Sequence, residues 1–265
     1  MRLTVISLGA GVQSSTMALM ANEGLITPMP TCAIFADTQN EPKYIYEYLD
    51  YLKGILKYPV HTVTKGNIKE DMLKPTTGGY TFPTAPFYTL KNGKKGMVMR
   101  QCTNDYKIQV IRKKIRELLG LKRYQHVKKD MFVEQWIGIS KDEIMRKKDA
   151  RDKFITNRWP LLEEEMSRQD CIDWMKEHEY KMPEKSACNM CPFHDDKYWA
   201  KLKKNHPEEF ADAVDTDVKV RNLGRDKEAE LFIHKTCKPL SEVEFDTEED
   251  QLDMFDNVCE GMCGV

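Results

Sequence analysis

The chain has 265 residues, of which 41% are hydrophobic and 31% charged, with a net charge of −1. That composition supports a packed core and excludes both a disordered tail and a globally basic nucleic-acid coat. No run of about 18 apolar residues occurs and the opening MRLTVISLGAG lacks the pattern of a secretory signal, so a cytoplasmic chain with no membrane partner is expected.

Leu3–Leu8 (LTVISL) is a short apolar, β-branched run and predicts a buried strand. Gly9-Ala10-Gly11 follows, and Gln13–Asn22 predicts a helix with Ser14, Ser15 and Thr16 near its start. A second strand is expected over Cys32–Ala36, ending at Asp37-Thr38, then a helix over Tyr44–Leu56 and a third strand over Val60–Val63. This alternation predicts a doubly wound, mostly parallel α/β sheet. Pro75–Gly96 is rich in Thr, Gly and Pro and reads as a long loop. Ile108–Leu119 predicts a helix, and Phe132–Ile139 a strand that runs into Ser140-Lys141-Asp142-Glu143. Past about Asp152, short helices punctuated by Pro160, Pro183, Pro192 and Pro207 replace the rhythm. The expected organisation is an α/β domain over residues 1–152 and a mainly helical, cysteine-bearing region over residues 153–265, ending in an acidic tail.

Charge is unevenly spread. Lys107–Lys153 holds 15 basic against 7 acidic residues, whereas Glu242–Glu260 holds nine acids and no Lys or Arg. The basic stretch is either the solvated face of an amphipathic helix or an anion-facing surface for nucleotide or nucleic acid.

A strand, a small-residue turn and a helix opening with hydroxyls form a common phosphate cradle. Glycines admit close backbone approach, and the helix N-terminus offers N–H groups and partial positive charge. Ser7, Gly9, Ala10, Gly11, Ser14 and Ser15 supply these parts here. Neither the Walker A pattern nor a complete dinucleotide fingerprint is present.

GAGVQSS resembles the PP-loop of the adenine-nucleotide alpha-hydrolase superfamily. FADTQNEPKYIYEYL, RQCTNDYKIQVIRKKIREL, WIGISKDEIMR and SACNMCPFHDDKYW resemble, in order, motifs of its PAPS-reductase-like branch. The resemblance covers most of the chain, from about Leu3 to Leu240. It implies a Rossmann-like PP-loop domain over residues 1–152, with ATP or PAPS as nucleotide and Mg²⁺ beside it. Gln13 stands where the loop usually has Asp, and a neutral amide gives Mg²⁺ no charged ligand.

Asp37 lies at the end of the second expected strand. It either caps the following helix or, as the resemblance implies, lies in the nucleotide site near adenosine. Gly138 and Ser140 follow another strand. Glu143 and Arg146, three apart, suit a surface ion pair, or, on the resemblance, a pair in which Arg146 meets phosphate or sulfate and Glu143 orients it. Arg100 and Lys107 are further anion-binding candidates. Asp37, Glu143 and Arg146 are the expected catalytic set.

Eight cysteines in a reducing compartment point to metal, cluster or redox chemistry rather than disulfides. Cys188-Asn-Met-Cys191 is a C-x-x-C whose short turn lets both sulfurs ligate one centre. Cys102, within a motif of the resemblance, is the expected third ligand, and Cys263 or Cys259 the fourth. An all-thiolate site suits a [4Fe–4S] cluster or Zn²⁺, and the resemblance favours the cluster. Cys32 and Cys171 read as packing.

The expected function is an ATP pyrophosphatase that activates a substrate by adenylation for sulfur-type modification. A nucleic-acid substrate and a sulfur donor or thiol-reductant protein are the further expected partners. One alternative is a PAPS or adenosine phosphosulfate reductase with a tail cysteine as nucleophile; another is a non-catalytic nucleotide- or nucleic-acid-binding protein.

Overall fold

Of the strand-forming runs near the N-terminus, the first two are buried on both faces, as a parallel sheet between helices requires, and the third, at the sheet edge, is partly exposed. In the structure, a computed structural model that describes residues 2–74, 84–223, 226 and 228–245, they form β1 (Arg2–Leu8), β2 (Cys32–Asp37) and β3 (Val60–Thr64). Helix α1 (Val12–Glu23) links β1 to β2, α2 (Lys43–Ile55) links β2 to β3, and α3 (Ile68–Leu73) follows. A hairpin of β4 (Tyr88–Lys91) and β5 (Lys94–Met97) precedes α4 (Gln109–Leu118). The chain then returns to the sheet as β6 (Phe132–Ile137) and β7 (Ile155–Arg158).

The five-stranded sheet has the order β3-β2-β1-β6-β7, all parallel, with Ser7 of β1 beside Ile34 of β2 and Ile137 of β6. The order reverses direction between β1 and β6. The crevice beyond their carboxyl ends is the place where open sheets of this kind take ligands. One face packs Ile6, Leu8 and Trp136 against α1 and α2; the other packs Val5, Ile34 and Val133 against Ile111 and Ile115 of α4. The architecture is thus α/β and Rossmann-like.

Beyond β7 come α5 (Pro160–Glu163), α6 (Arg168–Glu177), α7 (Asp196–Asn205) and α8 (Pro207–Val220), then β8 (Glu230–Phe232). Strand β7 lies past residue 152 and joins the sheet, and Cys171 and Met175 of α6 pack into the same core as α1. Helices α7 and α8 instead share a second core with Phe87, Trp199 and Leu231 beneath a small antiparallel sheet of order β5-β4-β8.

Two expectations change. Pro75–Gly96 is not a loop throughout, because Asn92 and Gly93, both at positive φ (49° and 74°), turn the β4–β5 hairpin. The helix expected from Ile108 begins at Gln109, after a wide π-type turn over Thr103–Ile108. Among the described residues no helix is long and apolar enough to cross a membrane.

Candidate functional site

The small-residue turn after β1 bends through Ala10, at φ 57° in the left-handed region, at a cost of about 1–2 kcal/mol. Gly11 is the N-cap of α1 and supplies no side-chain cap, so the helix opens with its N–H groups toward the crevice end of the sheet. Ser14 Oγ accepts from Gly9 N at 3.1 Å and donates to Gly11 O at 3.3 Å, so two of the expected phosphate-facing groups here bind each other. Ser15 is buried and closes the first helical turn through its N–H to Gly11 O at 3.0 Å. Ser7 is buried in β1 just before the loop.

Gly138 follows β6 and lies against this turn. A Cβ there would stand 2.9 Å from both the nitrogen and the Cα of Ser14 and 3.1 Å from the carbonyl carbon of Gln13. Only glycine lets the two segments approach so closely. Gln13 is 1% exposed and its Nε2 donates to Ser140 Oγ at 3.4 Å. Ser140 in turn reaches Asp142 Oδ2 at 3.4 Å. Gln13 and Ser140 are neutral, and the nearby Asp142 Oδ2 already accepts from Arg168 N at 2.5 Å, so the residues at the loop do not fit a tightly held Mg²⁺.

A short 3₁₀ turn over Lys141–Arg146 carries the next pair. Arg146 Nη1 donates to Glu143 Oε1 at 2.5 Å, with the carboxylate buried and the guanidinium partly open to solvent. The pair therefore sits at the carboxyl end of β6 with its cation outward, able to meet an anion.

Asp37 ends β2 but does not cap α2, whose N-cap is Pro42. Its Oδ1 accepts from Gln39 N at 2.7 Å and from Tyr46 Oη at 2.9 Å, which holds the loop after β2 in place. Within that loop Thr38 Oγ1 donates to Glu41 Oε1 at 3.0 Å, and both residues are buried.

The C-x-x-C loop docks on these elements from 150 residues away. Ser186 Oγ donates to Gly9 O at 2.6 Å, and Asn189 N to Asn40 O at 2.7 Å. Cys188 Sγ lies 3.5 Å from Thr38 Oγ1 and donates to Glu41 Oε1 over 3.8 Å. Burial first, then the Glu41 carboxylate, pushes the Cys188 thiol well above its ordinary pKa, while Lys107 opposes them. Cys102 is within electrostatic range of the same sulfur. Cys191 closes the turn through its N–H to Cys188 O at 2.9 Å. His194 stacks on Tyr198 at 3.6 Å and shares Nε2 with Cys188 O at 3.0 Å; burial pushes its pKa down to about 3, so the ring is neutral. The Arg100 guanidinium lies 5.5 Å from the Phe193 ring centroid, beside this loop.

The structure thus brings the glycine turn, Gly138, Ser140, Glu143, Arg146, Lys107, Cys188 and Asp37 to the carboxyl edge of the sheet. Of the expected thiolate set it brings Cys102 within electrostatic range of Cys188. Among the described residues no three His, Cys, Asp or Glu side chains are arranged to hold a metal ion. Cys259 and Cys263 lie outside the described residues. Cys32 and Cys171 are core residues, and Cys237 is buried apart from the site with its Sγ 3.9 Å from Thr89 O.

Sequence reasoning missed Thr38, Glu41 and Ser186. The first two sit beside the singled-out Asp37 and Ser186 two residues before Cys188, so proximity to a motif was the available signal. No protein-family model matches the chain, and no curated protein matches it.

Proposed function

We propose that the chain is a cytoplasmic adenine-nucleotide-binding enzyme of the PP-loop type, an ATP pyrophosphatase that adenylates its substrate. The observation that carries this reading is the glycine turn at the strand-order reversal, with Gly138 pressed against the opening of α1 and no side chain capping that helix. A phosphate chain there meets helix N–H groups and the outward cation of Arg146. In the proposed step a substrate oxygen or nitrogen attacks the α-phosphorus, the bond to the β-phosphate oxygen breaks, and pyrophosphate leaves. Arg146, anchored by Glu143, neutralises charge on the phosphates, and Asp37 orders the loop that borders the adenosine end.

The cysteine-bearing region belongs to the same proposal. A [4Fe–4S] cluster or Zn²⁺ would draw on Cys102, Cys188 and Cys191 and on Cys259 or Cys263, and no step above depends on it. Mg²⁺, whose usual contribution is to neutralise phosphate charge, would bind through the nucleotide rather than through the loop.

The test is incubation of the full chain with ATP, and separately with PAPS and a thiol reductant. AMP and pyrophosphate are the expected products. Sulfite from PAPS moves the assignment to a sulfonucleotide reductase; nucleotide binding with no turnover moves it to a binding protein. Gln13→Asp adds a carboxylate at the loop and is expected to strengthen Mg²⁺-dependent ATP binding.

A further inference from the structure

The basic stretch divides in space. Lys107 is buried beside Cys188 and Arg146 lies past the carboxyl end of β6, whereas the cations from Arg112 to Lys129 lie on α4 and the loop after it. That loop joins the end of α4 to the start of β6, so it lies at the amino edge of the sheet, away from the glycine turn. The separation is about 20 Å, the length of a six-residue strand.

An open groove of about 900 Å³ runs along this face, and its cations are Arg112, Lys113, Arg116, Lys122 and Arg123. Only Glu117 and Asp152 oppose them in the lining, and Asp152 is paired with Arg112. An adjoining cavity of about 210 Å³, which shares Gln109, Arg112 and Asp152 with the groove, adds Lys148 and Arg151 against Asp149. The path therefore continues along α4 over β6 and β7.

At the amino edge stands Tyr124, 81% exposed. Its backbone is at φ 64°, in the third position of a turn closed by Gln125 N to Lys122 O at 3.1 Å, a slot that favours glycine. Arg116 braces the turn by donating to Gln125 O at 2.6 Å. The Arg123 guanidinium lies 4.8 Å from the Tyr124 ring centroid. A large aromatic is thus held outward, against its backbone preference, on a braced turn among cations.

We propose that this groove binds single-stranded nucleic acid, with the cations along α4 tracking phosphates and Tyr124 stacking on an unpaired base. A row of cations with one exposed ring is the arrangement that recognises a strand with open base faces; a duplex hides those faces. The proposal goes beyond the nucleotide reading and does not need it, since binding is measured without ATP.

The test is fluorescence anisotropy of the full chain with mixed-sequence RNA and DNA oligonucleotides, single-stranded and duplex, over a range of salt. Single strands are expected to bind at least tenfold tighter than duplex, and the RNA-to-DNA ratio identifies the natural strand. For about four phosphate contacts, the slope of log affinity against log salt should be roughly −3. Lys113→Glu with Lys122→Glu should cost tenfold or more. Tyr124→Ala should cost roughly tenfold and Tyr124→Phe little, because the ring does the stacking. Thermal melting of each variant should match the wild type, as all three residues are exposed. Absence of binding, equal affinity for duplex, or wild-type affinity in Tyr124→Ala overturns the proposal.

Discussion

Gly138 and Ser14, 124 positions apart in the chain, meet so closely that a methyl group on the first would stand 2.9 Å from the backbone nitrogen of the second. The contact joins the end of β6 to the first turn of α1 and shapes the mouth of the crevice. Gly138→Ala is expected to cost about 1–3 kcal/mol in stability, because backbone rather than a pliable side chain must yield. It should also weaken ATP binding severalfold by displacing the turn. Thermal denaturation and ATP titration check both, and an unchanged ATP affinity removes Gly138 from the site.

Arg146 and Glu143 form a pair in which only the cation reaches solvent. Removing the cation leaves the buried Glu143 carboxylate without this partner, so Arg146→Ala should destabilise by about 3 kcal/mol. Arg146→Lys keeps the charge but not the planar fork and should fall between. If Arg146 also meets phosphate, ATP affinity drops at temperatures where the variant is fully folded. Calorimetric titration below the melting transition separates the two effects.

The metal proposal makes its own demand. In protein purified without oxygen, Cys102→Ser, Cys188→Ser and Cys191→Ser should each lower iron or zinc content, whereas Cys237→Ser, away from the site, should not. Cys188 carries a raised thiol pKa in its present surroundings, so metal loading should release its proton and grow with pH. Iron, zinc and sulfide assays of the four variants decide it; identical metal content in all of them rules out a shared centre.

His234 gives the fold a pH dependence apart from the site. The ring is buried, with Nε2 3.1 Å from Asp196 Oδ1 and Nδ1 2.9 Å from Thr236 Oγ1. Burial holds its pKa below the ordinary value, against the pull of Asp196. The unfolded chain therefore binds a proton on this ring more readily than the folded one. The stability tied to the neutral ring is complete above about pH 6.5 and is lost as the pH falls below it. Urea midpoints at about pH 7.5 and about pH 5 should differ less in His234→Gln than in the wild type.

The strands β1, β2, β3 and β6 and the helices α2 and α4 were legible because each is a local pattern. Apolar β-branched runs stopped by small or polar residues make strands, and a 3.6-residue period makes helices. The glycine turn after β1 was legible for the same reason. The β4–β5 hairpin was not read, because the Thr-, Gly- and Pro-rich composition of Pro75–Gly96 pointed to a loop and outweighed the two-residue turn signal Asn92-Gly93 within it. Only the tertiary structure decided that Gly138 wedges against Ser14, that Ser186 closes on Gly9, and that Cys188 lies against Thr38 and Glu41. It also sent Lys107 to one edge of the sheet and Tyr124 to the other. Periodicity records which face of an element is apolar, because burial acts on every residue along it. It does not record strand order, and it is the order β3-β2-β1-β6-β7 that brings segments more than 100 residues apart to one edge.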